Sequence, residues 1–256
     1  MDWLSIPGVA DPVAAALLCA AAFAGGIVRG FTGFGFGMVF VPVASMAVGP
    51  AAAVGLIWFI DLPYAFPLAA RSFPRAVWRE VGPLLIGSVI ALPLGVYLLT
   101  RLDRDLTRWI IATVIALALA AMISGWRYRS EPGVKLSLSV GGLSGLFNGL
   151  AQLGGMPLAL FWLSSQTNSA QRTRDNLLVF FALNTLVSGL LFMAAGVVTM
   201  ERFWTAIPLI IIYGAGLLIG VRGFHIASEQ TFRRAAYAVI GASVLLALPV
   251  FDAWIR

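Results

Sequence analysis

The chain reads as an all-α polytopic membrane protein made of two inverted repeats. Each repeat is a glycine-broken helical pair followed by three transmembrane helices, giving 8–10 membrane segments in all. Three observations predict this class. Apolar residues make up 60% of the 256 residues and charged ones 11%, against about a quarter charged in soluble domains; the mean hydropathy is +0.94. A glycine-rich, almost uncharged phrase occurs twice, from Gly25 to Pro42 and from Gly141 to Pro157, with Gly30 and Gly145 each twelve residues ahead of the proline. The basic residues fall in short loops between apolar runs and are biased towards one side.

Taken in order, the elements follow from the lengths of the apolar runs. No basic stretch precedes the first run, so a cleaved signal peptide is not expected and that run stays in the membrane. Runs 12–28 and 31–49 are short or glycine-interrupted and form the first broken pair. Runs 51–70, 81–99 and 107–125 approach the roughly 20 residues that a span needs. The order then repeats, with a broken pair at 136–150 and 152–165 and full helices at 176–198, 203–221 and 235–252. The duplication extends beyond the glycine phrase. Pro83 precedes Gly95 by twelve residues and Arg108 by twenty-five, and Pro208 stands in the same relation to Gly220 and Arg233. The repeats are therefore 1–126 and 130–256, within a single transmembrane domain.

Loop charges set the orientation. If each broken pair enters and leaves on one side, Arg71, Arg75, Arg79, Arg127, Arg129, Lys135, Arg172, Arg174, Arg222, Arg233 and Arg234 share a side. That side then holds eleven basic residues, against five (Arg101, Arg104, Arg108, Arg202, Arg256) on the other. Counting each pair as one crossing instead gives eight against eight. Positively charged loops stay cytoplasmic, so the first arrangement is expected, with both termini extracytoplasmic and the repeats inverted.

Several chemistries are excluded or disfavoured. The net charge of +6 does not gather on one face, so nucleic acid is not an expected partner. A lone cysteine, Cys19, and a lone histidine, His225, provide neither a disulfide nor a histidine metal site, and no cofactor is expected. A membrane-embedded enzyme would need a nucleophile–base or metal set that the spans lack. Paired Gly/Pro-interrupted segments at matching places in two halves point instead to a substrate site made from broken helices, hence to a transporter. A passive anion channel would use the same device and is the alternative. Membrane lipid is the expected environment, and homo-oligomerisation is left open.

The candidate site follows from what the motif costs and what it contains. Glycines Gly25, Gly26, Gly30, Gly33, Gly35 and Gly37 each weaken a helix by up to about 1 kcal/mol relative to Ala. Their four-residue spacings (Gly26 and Gly30, Gly33 and Gly37, then Gly141, Gly145 and Gly149) suit close helix packing. The sharper reading is that Gly30–Gly35 and Gly149–Gly154 include unwound turns whose freed N–H groups, at helix N-termini, hold an anion. That reading puts Gly30, Gly33, Gly35, Gly149 and Gly154 in the substrate site. Arg29 reads as an anion ligand, as a carboxylate's partner, or as an interfacial arginine reaching headgroups. Thr32, Asn148 and Gln152 can donate to an oxyanion or join helices. Asp61, just ahead of Pro63 and Pro67, reads as the partner of Arg29, as the proton carrier of coupled transport, or as a helix-break cap; the two prolines are expected to kink its helix. Asn184 holds the comparable place in the second half, making any coupling chemistry asymmetric. The polar stretch Gln166 to Asn176 reads as a cytoplasmic loop with an N-cap at Asp175. Trp3, Trp78, Trp109, Trp126, Trp204 and Trp254, near segment ends, read as interfacial anchors.

The phrase G-F-T-G-F-G-F-G-M-V-F-V-P, echoed by G-L-F-N-G-L-A-Q-L-G-G-M-P-L at the start of the second half, resembles the sulfite exporter TauE/SafE family of bacterial membrane transporters. The resemblance implies a carrier in the bacterial inner (cell) membrane for small anions such as sulfite, thiosulfate, sulfoacetate and other organosulfonates. The second motif departs from the family's usual glycine richness at Asn148, Leu150, Ala151 and Gln152, a departure that bears on the substrate.

The charge asymmetry makes orientation testable. On a Cys19→Ser background, cysteines placed in 71–79 and 222–234 are expected to react only from the cytoplasmic side, and a cysteine at the C-terminus only from outside. Cytoplasmic labelling of the C-terminus would exclude inverted repeats.

Overall fold

The computed structural model describes residues 6–9, 11–124, 133–163, 170–226, 237–243 and 245. Among them the chain is helical: α1 (Pro12–Thr32), α2 (Phe36–Val48), α3 (Pro50–Ala70), a 3-10 turn (Phe73–Arg75), α4 (Trp78–Arg101), α5 (Arg104–Ile123), α6 (Val134–Ala151), α7 (Gly155–Leu163), α8 (Ala170–Ala194) and α9 (Met200–Ile226). Helices α1, α3, α4, α8 and α9 are long and apolar enough to cross a membrane. Residues 237–243 are also helical, and most of the run predicted at 235–252 lies outside the described residues.

Local chemistry accounts for the ends of these helices. The Asp11 carboxylate accepts from the backbone N–H groups of Val13 and Ala14, and Asp103 does the same for α5; each satisfies donors that a first turn leaves without partners. Pro12 and Pro50 occupy first-turn positions, where a missing N–H costs nothing. Helix α3 continues through Pro63 and Pro67 as one element.

The first broken pair differs from its sequence-predicted boundaries. Helix α1 runs to Thr32, past the expected end at residue 28, and the break falls at Gly33–Gly35. Gly26 and Gly30 stay helical because α9 is pressed against them: a Cβ at Gly26 would lie 2.5 Å from the Tyr213 carbonyl oxygen, and one at Gly30 would collide with that of Leu217. These are close-packing glycines, which let two backbones meet.

The same contacts fix helix directions. A Cβ at Gly141, Gly145 or Gly149 would collide with the carbonyl oxygen of Leu84, Ser88 or Leu92 respectively, so α6 and α4 rise together, side by side. Contacts of Gly216 with Phe23 and of Gly220 with Ile27 give the same parallel relation for α9 and α1. Trp162, near the end of α7, donates to Glu80 in the first turn of α4, so α7 returns to the end from which α6 starts. Arg104, just past the end of α4, donates to the carbonyl of Met46 near the end of α2, which places that end at the opposite pole. The tips of the two pairs meet in between. Gly37 is pressed against the carbonyl of Gln152, and a Cβ at Gly155 would lie 3.2 Å from Cβ of Phe34.

Large side chains fill the interior of the bundle. Phe40, Trp162, Phe180, Phe192 and Tyr213 are fully buried. Outward-facing Ile86, Ile90 and Leu94 of α4 and Ile211 and Leu218 of α9 are exposed, as are Trp78, Trp109 and Trp204. An apolar exterior over a close-packed interior suits lipid as the surrounding solvent.

Glycine packing between α4 and α6 makes a direct test possible. Gly145→Ala, which drives a methyl into the Ser88 carbonyl, is expected to destabilise the purified protein by about 1–3 kcal/mol. Gly82→Ala, where a Cβ meets nothing within 4 Å, should leave the melting temperature unchanged or raise it.

Candidate functional site

Each break is closed by the same device. At the first, Gly33 adopts the left-handed region (φ +80°) and its N–H returns to the Arg29 carbonyl at 2.8 Å. At the second, Gln152 adopts it (φ 56°) and its N–H returns to the Asn148 carbonyl at 2.9 Å. Gln152 is the one non-glycine residue with positive φ among the described residues, a conformation that an L side chain holds only when its surroundings impose it. Helices α2 and α7 each begin three residues later, at Phe36 and Gly155. Their first N–H groups have no acceptor within the helix, and the positive ends of both helix dipoles lie at the tips.

Between the tips is a cavity of about 40 Å³, where a single water needs roughly 10–15 Å³. Six of its lining residues were expected from the sequence: Arg29, Gly35, Asp61, Asn148, Gln152 and Asn184. Residues of the two halves, 87 to 155 positions apart in the chain, thus share a space large enough for a few waters or one small oxyanion.

Charge in the cavity comes from the first half. Arg29 is 5% exposed and donates from Nη2 to Oδ2 of Asp61 at 2.9 Å, so of the roles open to Asp61, partnership with Arg29 is the one the structure displays. The guanidinium also lies 4.8 Å from the ring centroid of Phe181, while its Nε is buried without a hydrogen-bond partner. Burial and pairing inside the bundle place Arg29 away from an interfacial role. Tyr213 donates to the other oxygen of Asp61 at 2.5 Å.

The second half contributes only neutral groups. Ser88 donates to Oδ1 of Asn184 at 3.1 Å, and the Nδ2 group has no partner among the described residues. Asn148 is buried at 3% exposure, and neither its amide nor that of Gln152 has a hydrogen-bond partner among the described residues. Lining the cavity without a protein partner, these amide groups are available to a ligand or a water. Counted from the last residue of each helix, Arg29 and Asn148 hold the same place, three residues before Thr32 and Ala151.

Other expected site residues are engaged elsewhere. The Thr32 hydroxyl donates to the carbonyls of Val28 and Phe34 and accepts from the Phe34 N–H, so it closes the break locally. Gly30 and Gly149 face a neighbouring helix, and the Gly30 carbonyl accepts from Arg174 at 3.0 Å. Gly33 supplies the helix-ending turn, and the Gly154 carbonyl accepts from Ser144. The expected N-cap at Asp175 is not one. Helix α8 begins earlier, at Ala170, and Asp175 lies within it, accepting from Ser72 at 2.5 Å and from Gln171 at 3.2 Å.

That correction exposes a polar cluster the sequence did not signal. Glu80 accepts from Trp162, from Asn176 and from Arg172, and Asn176 accepts from the Val77 N–H. With Ser72 and Asp175, these bonds tie the start of α4 to α7 and α8 at one end of the bundle. Tyr213, Phe181 and Trp58 were also missed. A tyrosine alone in the apolar run I-I-I-Y-G was the one available hint for Tyr213.

Comparison with known proteins bears on what this arrangement is for. No curated protein and no solved structure matches the chain. The family model described as sulfite exporter TauE/SafE matches residues 18–247, a stretch that takes in both breaks and every residue lining the cavity. With helices apolar enough to cross a membrane on either side of those breaks, the chain is a multi-pass membrane protein and belongs to the sulfite exporter TauE/SafE family of transporters.

Proposed function

We propose that the chain is a secondary carrier for a small sulfur-containing oxyanion or organosulfonate, of the sulfite, thiosulfate or sulfoacetate type, and that its substrate binds in the cavity between the two breaks. The observation that carries this reading is a buried cation beside three amides with unpartnered donor groups, where two helix N-termini converge. Arg29 supplies the positive charge. Asn148, Gln152 and Asn184 supply uncharged donors for the oxyanion's remaining oxygens, and the backbone of Gly35 allows the ligand close approach. Gly30, Gly33, Thr32, Gly149 and Gly154 serve the same site by shaping and closing the breaks.

Electroneutrality gives Asp61 its role. Arg29 and Asp61 together carry no net charge, so an entering monoanion leaves the buried site at minus one unless a proton accompanies it. Asp61 is the carboxylate placed to take that proton, with neutral Asn184 as its counterpart in the second half. The carrier is assigned to the bacterial inner membrane, with repeats 1–126 and 130–256 inverted and both termini outside. The loop-charge bias and the opposite entry of the two broken pairs support this orientation.

Reconstituted protein should accumulate labelled sulfite in response to a proton gradient and exchange it in counterflow; flux without either would indicate a channel. Arg29→Gln is expected to weaken sulfite binding about 10- to 100-fold, the worth of a charge-assisted hydrogen bond, with a smaller loss of folded yield. Arg29→Lys should recover only part of that loss, because the planar fork is gone. Asp61→Asn is expected to abolish gradient-driven accumulation while binding remains measurable. Wild-type coupling in that variant would leave Asp61 as a structural partner of Arg29.

A further inference from the structure

Tyr213 borders the proposed site without a role in it. Its side chain is fully buried in α9, and its phenol holds Oδ1 of Asp61 while Arg29 holds Oδ2. The carboxylate is therefore gripped at both oxygens, by one charged donor and one neutral donor. If Arg29 turns from Asp61 to an anion in the cavity, the phenol is the remaining donor among the described residues. A carboxyl group left with no hydrogen-bond partner, ionised or protonated, would carry a desolvation penalty inside the bundle.

The surroundings of the ring add a mechanical link. It lies 4.3 Å from the ring of Phe36, the first residue of α2 and part of the cavity wall, and 5.3 Å from that of Tyr64. The backbone behind it is pressed against Gly26 of α1. The phenol cannot follow Asp61 far without displacing the start of α2. We infer that Tyr213 is a positioning residue of the transport site: it holds Asp61 so that Arg29 can be released to the anion, and it passes that exchange to α2 through Phe36.

This inference rests on the carrier reading above, and its test separates the two. Sulfite affinity is measured by calorimetry at fixed pH for the wild type, Tyr213→Phe, Asp61→Asn and the double variant. Tyr213→Phe keeps the ring and its packing. It is expected to weaken binding about tenfold in the wild-type background and by less than twofold in the Asp61→Asn background, since the phenol acts through the carboxylate. An unchanged or tighter affinity in Tyr213→Phe, or an equal loss in both backgrounds, overturns the inference. Thermal unfolding of the same four proteins without ligand gives an independent readout. Here the double variant is expected to melt no lower than Asp61→Asn alone, whereas strictly additive losses overturn the positioning role. If the wild type binds no sulfite while the melting cycle is non-additive, the substrate assignment fails and the Tyr213–Asp61 link stands.

Discussion

Inside a hydrocarbon slab a helix can be interrupted only where the protein itself accepts the backbone groups that the interruption frees. Here each of two interruptions is closed by its own turn and braced by the other, Gly37 against Gln152 and Gly155 against Phe34. Neither break could stand alone. Bringing them together requires two broken pairs that approach from opposite ends, and that in turn requires helices close enough to carry them there. The glycines along α1 with α9, and along α4 with α6, provide that closeness. The cavity is what remains between the tips once these contacts are made.

The two sequence halves bring unequal chemistry to this cavity. Arg29 and Asn148 occupy one register position, and Asp61 and Asn184 face the cavity from α3 and α8. One half carries an ion pair; the other carries amides. A second ion pair would double the desolvation that the interior must compensate. Amides donate hydrogen bonds at a lower desolvation cost, so a single ion pair supplies the charge while neutral groups supply much of the hydrogen bonding.

Much of this was legible in the sequence. Hydropathy gave the class, the repeated phrase gave both breaks and four of the cavity's lining residues, and polar Asp61 and Asn184 inside apolar runs gave two more. What hydropathy could not decide was which glycines pack and which break. Gly26 and Gly30, and Gly141, Gly145 and Gly149, stay helical under a neighbouring helix, whereas Gly33, although four residues from Gly37, takes a positive φ and falls in the turn with Gly35. Asp175 was misplaced because a polar stretch resembles a loop, although its partners Ser72 and Gln171 make a helix there affordable. Tyr213 was out of reach for a different reason. Its bond to Asp61 depends on how α9 is registered against α3, and no single run of sequence contains that information.

The tight helix pairs have a consequence for motion. Helices α1 and α9 belong to opposite halves, and so do α4 and α6; a backbone contact that tolerates no Cβ tolerates little sliding. The two halves are interlocked like clasped hands. They cannot swing apart as sequence units, and the bodies that move in a transport cycle must be cut differently from the chain. Each tight pair joins a helix of one sequence half to a helix of the other, and the contact of Gly37 with Gln152 couples α2 to the second half as well. The linear order of the helices therefore does not mark out separable bodies.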